Sequence, residues 1–371
     1  MKYYLIAGEA SGDLHGSNLM KALFKKDPNA NIKFWGGDLM QSVGGELVSH
    51  YRDRAFMGFS EVILNLRKIS KLIRYCKKDI QEFKPDRLIF IDNSGFNLRI
   101  AKWAKLQGFE THYYISPQVW ASREGRVKTI KESIDHMYVV LPFVKDFYEK
   151  HNYPVHFVGH PLLDAIANKE LINPKDFKSE NGLDDRPIIA LLPGSRKQEI
   201  SKMLNVMLSV VEDFSEYQFV IAGAPSQDKD FYTPFIQKQN VHLLLNRTYD
   251  LLSVSHAALV TSGTATLETA LFKVPQVVCY KGSRVSYEIA KRIIKLKYIS
   301  LVNLILDKQV VTELIQTDFN SERLKEELKT ILNDYHRAKL FLEYYDLEKK
   351  LGGKGASEKT AKLIFEATGK S

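Results

Sequence analysis

Residues 186–201, RPIIALLPGSRKQEIS, decide the fold of this chain. The apolar run 188–192 is typical of a strand buried on both faces of a parallel sheet. A proline and a glycine end that strand. The sequence after them predicts a helix that begins near Lys197, with Ser195 as its N-terminal cap. The stretch therefore predicts a strand, a glycine turn and a helix, which is the repeating unit of an α/β sheet.

The glycine turn in this stretch is a candidate anion site. A helix N-terminus above a sheet edge leaves backbone N–H groups free, and those groups attract negative charge. Arg196 adds a fixed positive charge and a fork of donors that suits phosphate. Gly194, Ser195 and Arg196 form either a phosphate-binding turn or an ordinary strand-to-helix turn with a solvated arginine, since short glycine turns are common in α/β folds.

Length and composition limit the classes of protein to which the chain can belong. Its 371 residues exceed one ordinary hydrophobic core and fit two domains of typical size. With 44% hydrophobic and 26% charged residues, the composition is that of a globular protein rather than a disordered one. Cys76 and Cys279 are too few and too far apart for a disulfide framework or a zinc-site pattern, which is typical of a reducing cytosol.

Charge and hydropathy set the expected location and partners. The sequence has neither a signal-peptide pattern at its start nor a run of 18 apolar residues, so we expect a cytoplasmic protein without a membrane-spanning helix. The net charge of +9 indicates an anionic partner, which could be a nucleic acid, a phosphorylated ligand or an anionic membrane surface. Composition alone does not choose among these three.

Strand-like and helix-like segments alternate almost throughout the chain, which predicts parallel sheets covered by helices. The first series of strands ends near residues 159–161, and the polar segment 168–187 is the predicted linker, after which the alternation restarts. We therefore predict an α/β fold with two Rossmann-like, doubly wound parallel-sheet domains that face one another across a cleft. The predicted domains are residues 1–170 and 171–371, and the packing of the last helix on either domain is left open.

The first strand leads into GEASGD, residues 8–13, which opens a helix. This is not the glycine pattern of dinucleotide-binding folds, and the carboxylates of Glu9 and Asp13 would repel a pyrophosphate. The segment is either a site for a neutral, hydroxyl-bearing group or a tightly packed turn. Farther along, Asp92 stands at the carboxyl end of the predicted strand 87–91, where open α/β sheets keep their chemistry.

A second phosphate-type turn lies in TSGTATLE, residues 261–268. Ser262, Gly263 and Thr264 offer N–H groups and hydroxyls at the start of a helix, and Glu268 lies one turn into that helix. A carboxylate at that position can accept both hydroxyl groups of a ribose while the helix end holds the phosphates. This combination favours a nucleotide over inorganic phosphate.

The sequence contains no convincing metal pattern. His156 and His160 are four residues apart, but the valine and glycine between them argue against the helix that such a pair needs to share a zinc ion. Residues 228–230, DKD, resemble a metal-binding Asp-x-Asp, but they lie in a polar loop without an apolar strand before it. We therefore expect no metal and no other cofactor.

Six motifs occur in order along most of the chain, and together they resemble one family of enzymes. They are GEASGD at 8–13, Ile91-Asp92 with Phe96-Asn97, SPQVWA at 116–121, LPGSR at 192–196 with Glu199, SGTA at 262–265 with Leu267-Glu268, and Ser300-Leu301 with Asn303-Leu304. Each motif is weak alone, but the ordered set is specific. The chain resembles the lipid-A-disaccharide synthase family, glycosyltransferases of the two-Rossmann GT-B architecture.

The resemblance implies a reaction. A 2,3-diacylglucosamine unit passes from UDP-2,3-diacylglucosamine to 2,3-diacylglucosamine 1-phosphate, which gives the β-1,6 lipid A disaccharide 1-phosphate by inversion and releases UDP. Two departures accompany the resemblance: Ser94 stands where the family's pattern has proline, and residues 281–297 follow the family only loosely.

The resemblance also implies site residues. Asp92 matches the family's proposed catalytic base. The donor side is expected to comprise Gly194, Ser195, Arg196, Ser262, Gly263, Thr264, Glu268 and Asn303. The acceptor side is expected to comprise Glu9, Ser11, Gly12, Asp13 and Gln118.

Two alternative functions stay open at this point. A UDP-sugar epimerase of the same architecture would use the same nucleotide-binding half and would need no acceptor. A non-catalytic nucleotide- or membrane-binding protein would not need Asp92.

Residues 58–83 suggest how the enzyme reaches acylated substrates. Apolar residues recur there at spacings of four and three, as an amphipathic helix requires, and basic residues crowd the remaining surface. The helix either packs on the core with a solvated basic face or rests on an anionic membrane, and extra apolar residues favour the membrane. The predicted membrane and acyl-chain contacts are Met57, Phe59, Ile63, Leu64, Arg67, Lys68, Lys71, Leu72 and Arg74. We expect peripheral association with the inner face of the inner membrane and no binding of nucleic acid, and a homodimer is left open.

Overall fold

The structure, a computed structural model, describes residues 1–54, 66–122, 124–283 and 297–367. The chain divides into two compact units. The first unit comprises Met1–Asn168 and Leu351–Ser371, and the second comprises Lys169–Lys350.

The first unit is built on a seven-stranded parallel sheet. Its strands are β1 (Lys2–Ala7), β2 (Asn31–Gly36), β3 (Glu46–His50), β4 (Arg87–Ile91), β5 (Thr111–Tyr114), β6 (His136–Val139) and β7 (His156–Phe157). They lie in the order β3-β2-β1-β4-β5-β6-β7. The helices of this unit are α1 (Ala10–Lys26), α2 (Asp38–Val43), α3 (Leu66–Phe83), α4 (Ser94–Leu106), α5 (Val119–Ser122), α6 (Val127–Ser133), α7 (Pro142–Lys150), α8 (Pro161–Ala167) and a C-terminal helix (Ala356–Glu366).

The second unit is built on a six-stranded parallel sheet. Its strands are β8 (Ile188–Leu192), β9 (Gln218–Gly223), β10 (Val241–Leu245), β11 (Ala257–Thr261), β12 (Gln276–Tyr280) and β13 (Glu313–Ile315). They lie in the order β10-β9-β8-β11-β12-β13. The helices are α9 (Pro174–Glu180), α10 (Lys197–Met207), α11 (Lys229–Tyr232), α12 (Thr248–Val254), α13 (Thr264–Leu271), α14 (Leu301–Leu306), α15 (Ser321–Leu332) and α16 (Asp334–Lys350).

The central strands form where the sequence has continuous apolar runs. All five residues of β8 are buried, as are four of the five residues of β4, because helices cover both faces of each sheet. Two edge strands escaped prediction. β3 is polar and half-exposed along most of its length, and β13 has only three residues, so neither carries the apolar run on which the prediction relied.

Each sheet has one point at which the strand order reverses. In the first sheet this point lies between β1 and β4, which pair in parallel with Ala7 opposite Ile91. In the second sheet it lies between β8 and β11, which pair with Leu192 opposite Val260. Ligands of open α/β sheets bind beyond the carboxyl ends of the strands at such points. The fold therefore marks one candidate site in each unit.

The C-terminal segment belongs to the first unit, the arrangement that the sequence had left open. The Asp164 carboxylate in α8 accepts the backbone N–H groups of Gly355 and Ser357 at 2.6 and 2.8 Å, at the start of the C-terminal helix. Lys25 of α1 pairs with Glu358 of that helix at 2.8 Å. The second unit consequently ends at Lys350 rather than at the chain terminus.

Across the described ranges, no helix is both long and apolar enough to cross a membrane.

Candidate active site

Asp92 follows β4 directly, at the carboxyl edge of the first sheet. Asp92 and Asn93 both have left-handed backbone conformations, with φ of 46° and 45°. Residues other than glycine rarely adopt this conformation, and it clusters at functional sites because surrounding structure must hold it. Residue Asp92 reaches the surface, while protein atoms crowd its carboxylate. The turn therefore presents the predicted base at the point where ligands of such sheets bind.

Asn97, one turn into α4, holds the Asp92 turn in place. Its side chain is fully buried, and its Nδ2 donates to the carbonyl oxygen of Asp92 at 2.8 Å and to that of Ile91 at 3.2 Å. The hydroxyl of Tyr113 in β5 donates to the same Asp92 carbonyl. Neither residue had been assigned a role from the sequence. The only sequence signal for a role of Asn97 was that it shares one of the six motifs with Asp92.

Gly8 and Glu9 lie beside the Asp92 turn because β1 and β4 are neighbours. A Cβ atom at Gly8 would come within 1.9 Å of the Asn93 side-chain amide, so only glycine leaves room for Asn93. The protein packed around Asp92 desolvates its carboxylate, and the negative charge of Glu9 adds to this effect. Together they raise the pKa of Asp92 to about 6. A carboxylate with this raised proton affinity is better suited to act as a general base than an ordinary aspartate.

Two of the predicted acceptor-side residues have structural contacts, and their role as acceptor contacts stays a prediction. Asp13 is buried, and its carboxylate accepts the backbone N–H groups of Gly37, Leu39 and Met40 at 2.8 to 3.0 Å, so it caps α2. Gly12 faces the β1 backbone, where an added Cβ would lie 3.2 Å from that of Ala7. The tight-packing alternative therefore describes both residues.

The other acceptor-side candidates remain exposed. Glu9 and Ser11 are exposed at the start of α1, and Gln118 is exposed just before α5. Their side chains are available to a ligand, and their role as acceptor contacts stays a prediction.

The second unit has a cavity of about 430 Å³ at its switch point. The cavity is lined by both glycine turns and by the helix starts that follow them. The predicted donor-side residues that line it are Gly194, Ser195, Arg196, Ser262, Gly263, Thr264 and Glu268. The volume lies within the range of small-molecule sites, about 300–1,000 Å³. The residues of two distant motifs thus meet at one place.

In the turn after β8, the side chain that accepts a backbone N–H group is that of Glu199 and not that of Ser195. The residue that caps α10 is Arg196, and it makes no side-chain capping bond, so the prediction of Ser195 as cap was wrong. Glu199 reaches back from the first turn of α10 and accepts the Ser195 N–H at 3.3 Å. Gly194 has φ of 103°, and an added Cβ would lie 2.4 Å from the Glu199 carboxylate.

Glu268 lines the cavity and is oriented by a tyrosine. The Tyr249 hydroxyl in α12 donates to Glu268 Oε1 at 3.0 Å, and the Tyr249 ring packs on Phe272 with 5.4 Å between ring centroids. Burial raises the pKa of the Glu268 carboxyl group. Tyr249 had not been predicted as a site residue, because contact between side chains of two different helices leaves no local sequence signal.

Asn303 lies outside this cavity. It is fully buried, its Nδ2 donates to the Val311 carbonyl at 2.9 Å and to Glu313 at 2.8 Å, and its Oδ1 accepts the N–H groups of Val310 and Val311. These bonds hold the loop between α14 and β13. Asn303 therefore supports the fold of the second unit, and the donor contact predicted for it stays a prediction.

The described part of the basic helix is only partly free for a membrane. Ile69, Cys76 and Ile80 of its apolar stripe are buried in the core. Its exposed residues include Arg67, Lys68, Lys71 and Arg74, and Leu72 is half-buried. Met57, Phe59, Ile63 and Leu64 lie outside the described residues. The stripe thus packs on the protein, and the basic face points outward.

The fold defines a class of proteins: those with two Rossmann-like units, each built on a parallel sheet. A UDP-GlcNAc 2-epimerase from Neisseria meningitidis, solved bound to UDP-GlcNAc, is similar over 99% of both chains with a TM-score of 0.66 and 14% identity. The glycotransferase of kitacinnamycin is similar over 98% of both chains with a TM-score of 0.63 and 12% identity. At such identities the likeness shows the fold alone, and it confirms the predicted GT-B-type α/β class.

Sequence comparison gives the family within that class. The lipid-A-disaccharide synthetase family model matches residues 3–366. The lipid-A-disaccharide synthase of Syntrophus aciditrophicus (strain SB) is 40% identical over 99% of this chain and 98% of its own length. That of Geobacter metallireducens (strain ATCC 53774 / DSM 7210 / GS-15) is 38% identical over 99% and 97%. The chain belongs to the lipid-A-disaccharide synthetase family, and the family and enzyme class predicted from the six motifs are confirmed.

Proposed function

We propose that this chain joins UDP-2,3-diacylglucosamine to 2,3-diacylglucosamine 1-phosphate, forming the β-1,6 disaccharide 1-phosphate of lipid A biosynthesis and UDP. The observation that carries the proposal is the second-unit cavity, where two glycine turns, an arginine and an oriented carboxylate meet at a switch point. Those groups match the parts of a UDP-sugar: phosphates and ribose hydroxyls.

The donor's nucleotide is held by the second unit. The backbone N–H group of Thr264 and the Arg196 guanidinium contact the diphosphate, because helix starts and arginine both favour phosphate oxygens. Glu268 accepts the ribose hydroxyls, and Tyr249 keeps its carboxylate in position. This division assigns phosphate binding to the turns and nucleoside recognition to the buried acid.

The acceptor is activated by the first unit. Asp92 removes the proton from the acceptor's 6-hydroxyl as that oxygen forms a bond to C1 of the donor sugar. The bond from C1 to the diphosphate oxygen breaks in the same step, and its electron pair leaves with UDP. A general base and stabilisation of the leaving charge are the two needs of such an inverting transfer.

The experiment that tests the proposal measures UDP release with and without acceptor. The protein is supplied with UDP-2,3-diacylglucosamine in detergent, and UDP is detected by a coupled assay. We expect release to require 2,3-diacylglucosamine 1-phosphate. Equal release of UDP in its absence, or conversion of the donor to an epimer, would contradict the transferase proposal and favour the epimerase alternative.

The basic face of α3 is proposed to hold the enzyme at the inner face of the inner membrane. Arg67, Lys68, Lys71 and Arg74 are exposed along it, and Tyr75 on the same helix is 49% exposed. Cations near an anionic leaflet attract it over about a Debye length. Since the apolar stripe of α3 is buried in the protein, the attraction from the described part is mainly electrostatic.

A further inference from the structure

Three side chains with metal-binding atoms converge at the amino-terminal side of the first sheet. Glu110 directly precedes β5, His112 lies in β5, and His136 opens β6, where the register places it opposite His112. Asp92 follows the carboxyl end of β4. The cluster therefore lies at the edge of the sheet opposite to the proposed base, and the transferase chemistry makes no use of it.

Two of the three donor-atom separations in the cluster are close to those of a coordination shell. Glu110 Oε1 lies 3.2 Å from His112 Nε2 and 3.3 Å from His136 Nε2. All three atoms lie within 4.8 Å of one another. A tetrahedral ion with bonds of about 2.0–2.2 Å holds its ligands roughly 3.3–3.6 Å apart. Two imidazoles and one carboxylate form a ligand set of the zinc class.

Two atoms of the cluster are buried and face each other. His112 is fully buried, and its Nε2 lies 3.2 Å from Glu110 Oε1, a contact that an ion bound between the two atoms would replace. His112 Nδ1 lies 3.0 Å from the Tyr138 hydroxyl. A metal-binding histidine usually has its second nitrogen held in this way.

The surroundings leave one carboxylate oxygen and one side of the cluster open. Arg87 Nη1 pairs with the other oxygen, Glu110 Oε2, at 2.6 Å, so Oε1 stays available. The His136 side chain is 22% exposed, which gives access from solvent. Arg87 also donates to the backbone carbonyls of Ile364 and Ala367, which links Glu110 to the end of the C-terminal helix.

We propose that Glu110, His112 and His136 bind one divalent transition-metal ion of the zinc class, with solvent in the remaining position. The two imidazole rings now stack, with 4.7 Å between centroids and 15° between planes, so their Nε2 lone pairs do not meet at one point. His112 is held by Tyr138, so His136 turns about its Cβ–Cγ bond when the ion binds. The ion joins β5 to β6 and, through Arg87, strengthens the attachment of the C-terminal helix.

The test uses untagged full-length protein freed of metal by a chelator and then titrated with Co²⁺, followed by visible absorption, and with Zn²⁺, followed by calorimetry. We expect one equivalent to bind and Zn²⁺ to raise the melting temperature. His136→Gln should lose binding by at least tenfold, and Tyr138→Phe should weaken it by about 10- to 100-fold. His156→Gln, which changes a histidine on the next strand, is the matched control and should bind like the wild type.

Equal melting temperatures of the metal-free proteins establish that the variants are folded. If His136→Gln is not folded without metal, Glu110→Gln replaces it, with the same expected loss. Failure of the wild type to bind one equivalent would overturn the proposal, as would equal binding by the wild type and the folded ligand variant. These outcomes do not depend on transferase activity, so they leave the proposed reaction unaffected.

Discussion

At the scale of single residues, Asp92 is the proposed catalytic base. It occupies a left-handed turn that Asn97 and Tyr113 hold through its carbonyl oxygen, so its side chain is free for substrate. We predict that Asp92→Asn lowers turnover about 10²- to 10⁴-fold, because an amide keeps the shape but cannot take the proton. UDP affinity measured by calorimetry should change little.

Asp146→Asn, which changes an exposed acid on α7, is the matched control and should leave turnover unchanged. Retention of more than half of the wild-type rate by Asp92→Asn would remove Asp92 from the mechanism.

The raised pKa of Asp92 predicts a pH profile. Asp92 acts as a base only when ionised, so kcat/KM should rise with pH through about 6 and level off above it. The desolvation and the Glu9 charge both raise this pKa. In Glu9→Gln the repulsion is gone, so the pKa falls and the acid limb moves to lower pH. A limb that stays at the wild-type pH in Glu9→Gln would show that Glu9 does not act on Asp92.

Substitutions of the proposed donor-side residues should differ in their effects on UDP binding and on diphosphate binding. Arg196→Ala should weaken both UDP and inorganic diphosphate, since arginine binds the phosphates. Glu268→Gln should weaken UDP alone, by roughly 10- to 150-fold for a charge-assisted bond worth about 1.5–3 kcal/mol. Calorimetry with both ligands measures the difference. Unchanged UDP affinity in both variants would place the nucleotide elsewhere.

Tyr249 should act through Glu268. Tyr249→Phe keeps the ring on Phe272 and removes only the hydroxyl, so UDP affinity should fall by roughly 2- to 13-fold, as expected for a bond worth about 0.5–1.5 kcal/mol. Diphosphate affinity should stay unchanged. In the Glu268→Gln background the Tyr249 substitution should have a smaller effect, and full additivity of the two changes would contradict a positioning role.

At the scale of elements, helix α3 combines a buried stripe with an exposed basic face. We predict that changing Lys68, Lys71 and Arg74 to glutamate reduces co-sedimentation with anionic vesicles at low salt. The apparent KM should rise more for vesicle-borne substrate than for substrate in detergent. Each cation near the surface contributes about 1 kcal/mol, and salt screens that contribution.

A matched variant changes the exposed Lys128, Lys150 and Lys329 to glutamate, which gives the same change in net charge away from α3. Its co-sedimentation should stay closer to that of the wild type. Equal loss in both triple variants would assign the effect to net charge rather than to this helix.

Elements also show where sequence reasoning succeeds. Strands such as β4 and β8 were predicted with their observed bounds, because a short apolar run between turn signals has the length of a strand rather than of a helix. Helix ends were harder. Glu199 rather than Ser195 accepts a backbone N–H group in the turn before α10, and Asp13 of α1 caps a different helix, α2. Caps of the second kind depend on tertiary contact.

At the scale of the whole molecule, the motifs predicted the residues that line the second-unit cavity but not the residues that hold them in position. Gly194 and Gly263 sit in turns at neighbouring strand ends, so sheet topology alone brings them together. Asn303 belonged to the same set of motifs, and the structure shows it holding a loop. A motif records that a residue is required and does not say whether ligand or fold requires it. Tyr249 and the Glu110 cluster follow only from tertiary structure.

Mass spectrometry of the lipid product tests the central claim most directly. The wild-type protein is incubated with UDP-2,3-diacylglucosamine, with and without 2,3-diacylglucosamine 1-phosphate, and the lipids are extracted. We expect a tetra-acylated disaccharide carrying one phosphate, formed only when both substrates are present and greatly reduced with Asp92→Asn. A donor sugar that is modified without acceptor, or the absence of any disaccharide when both substrates are present, would contradict the account.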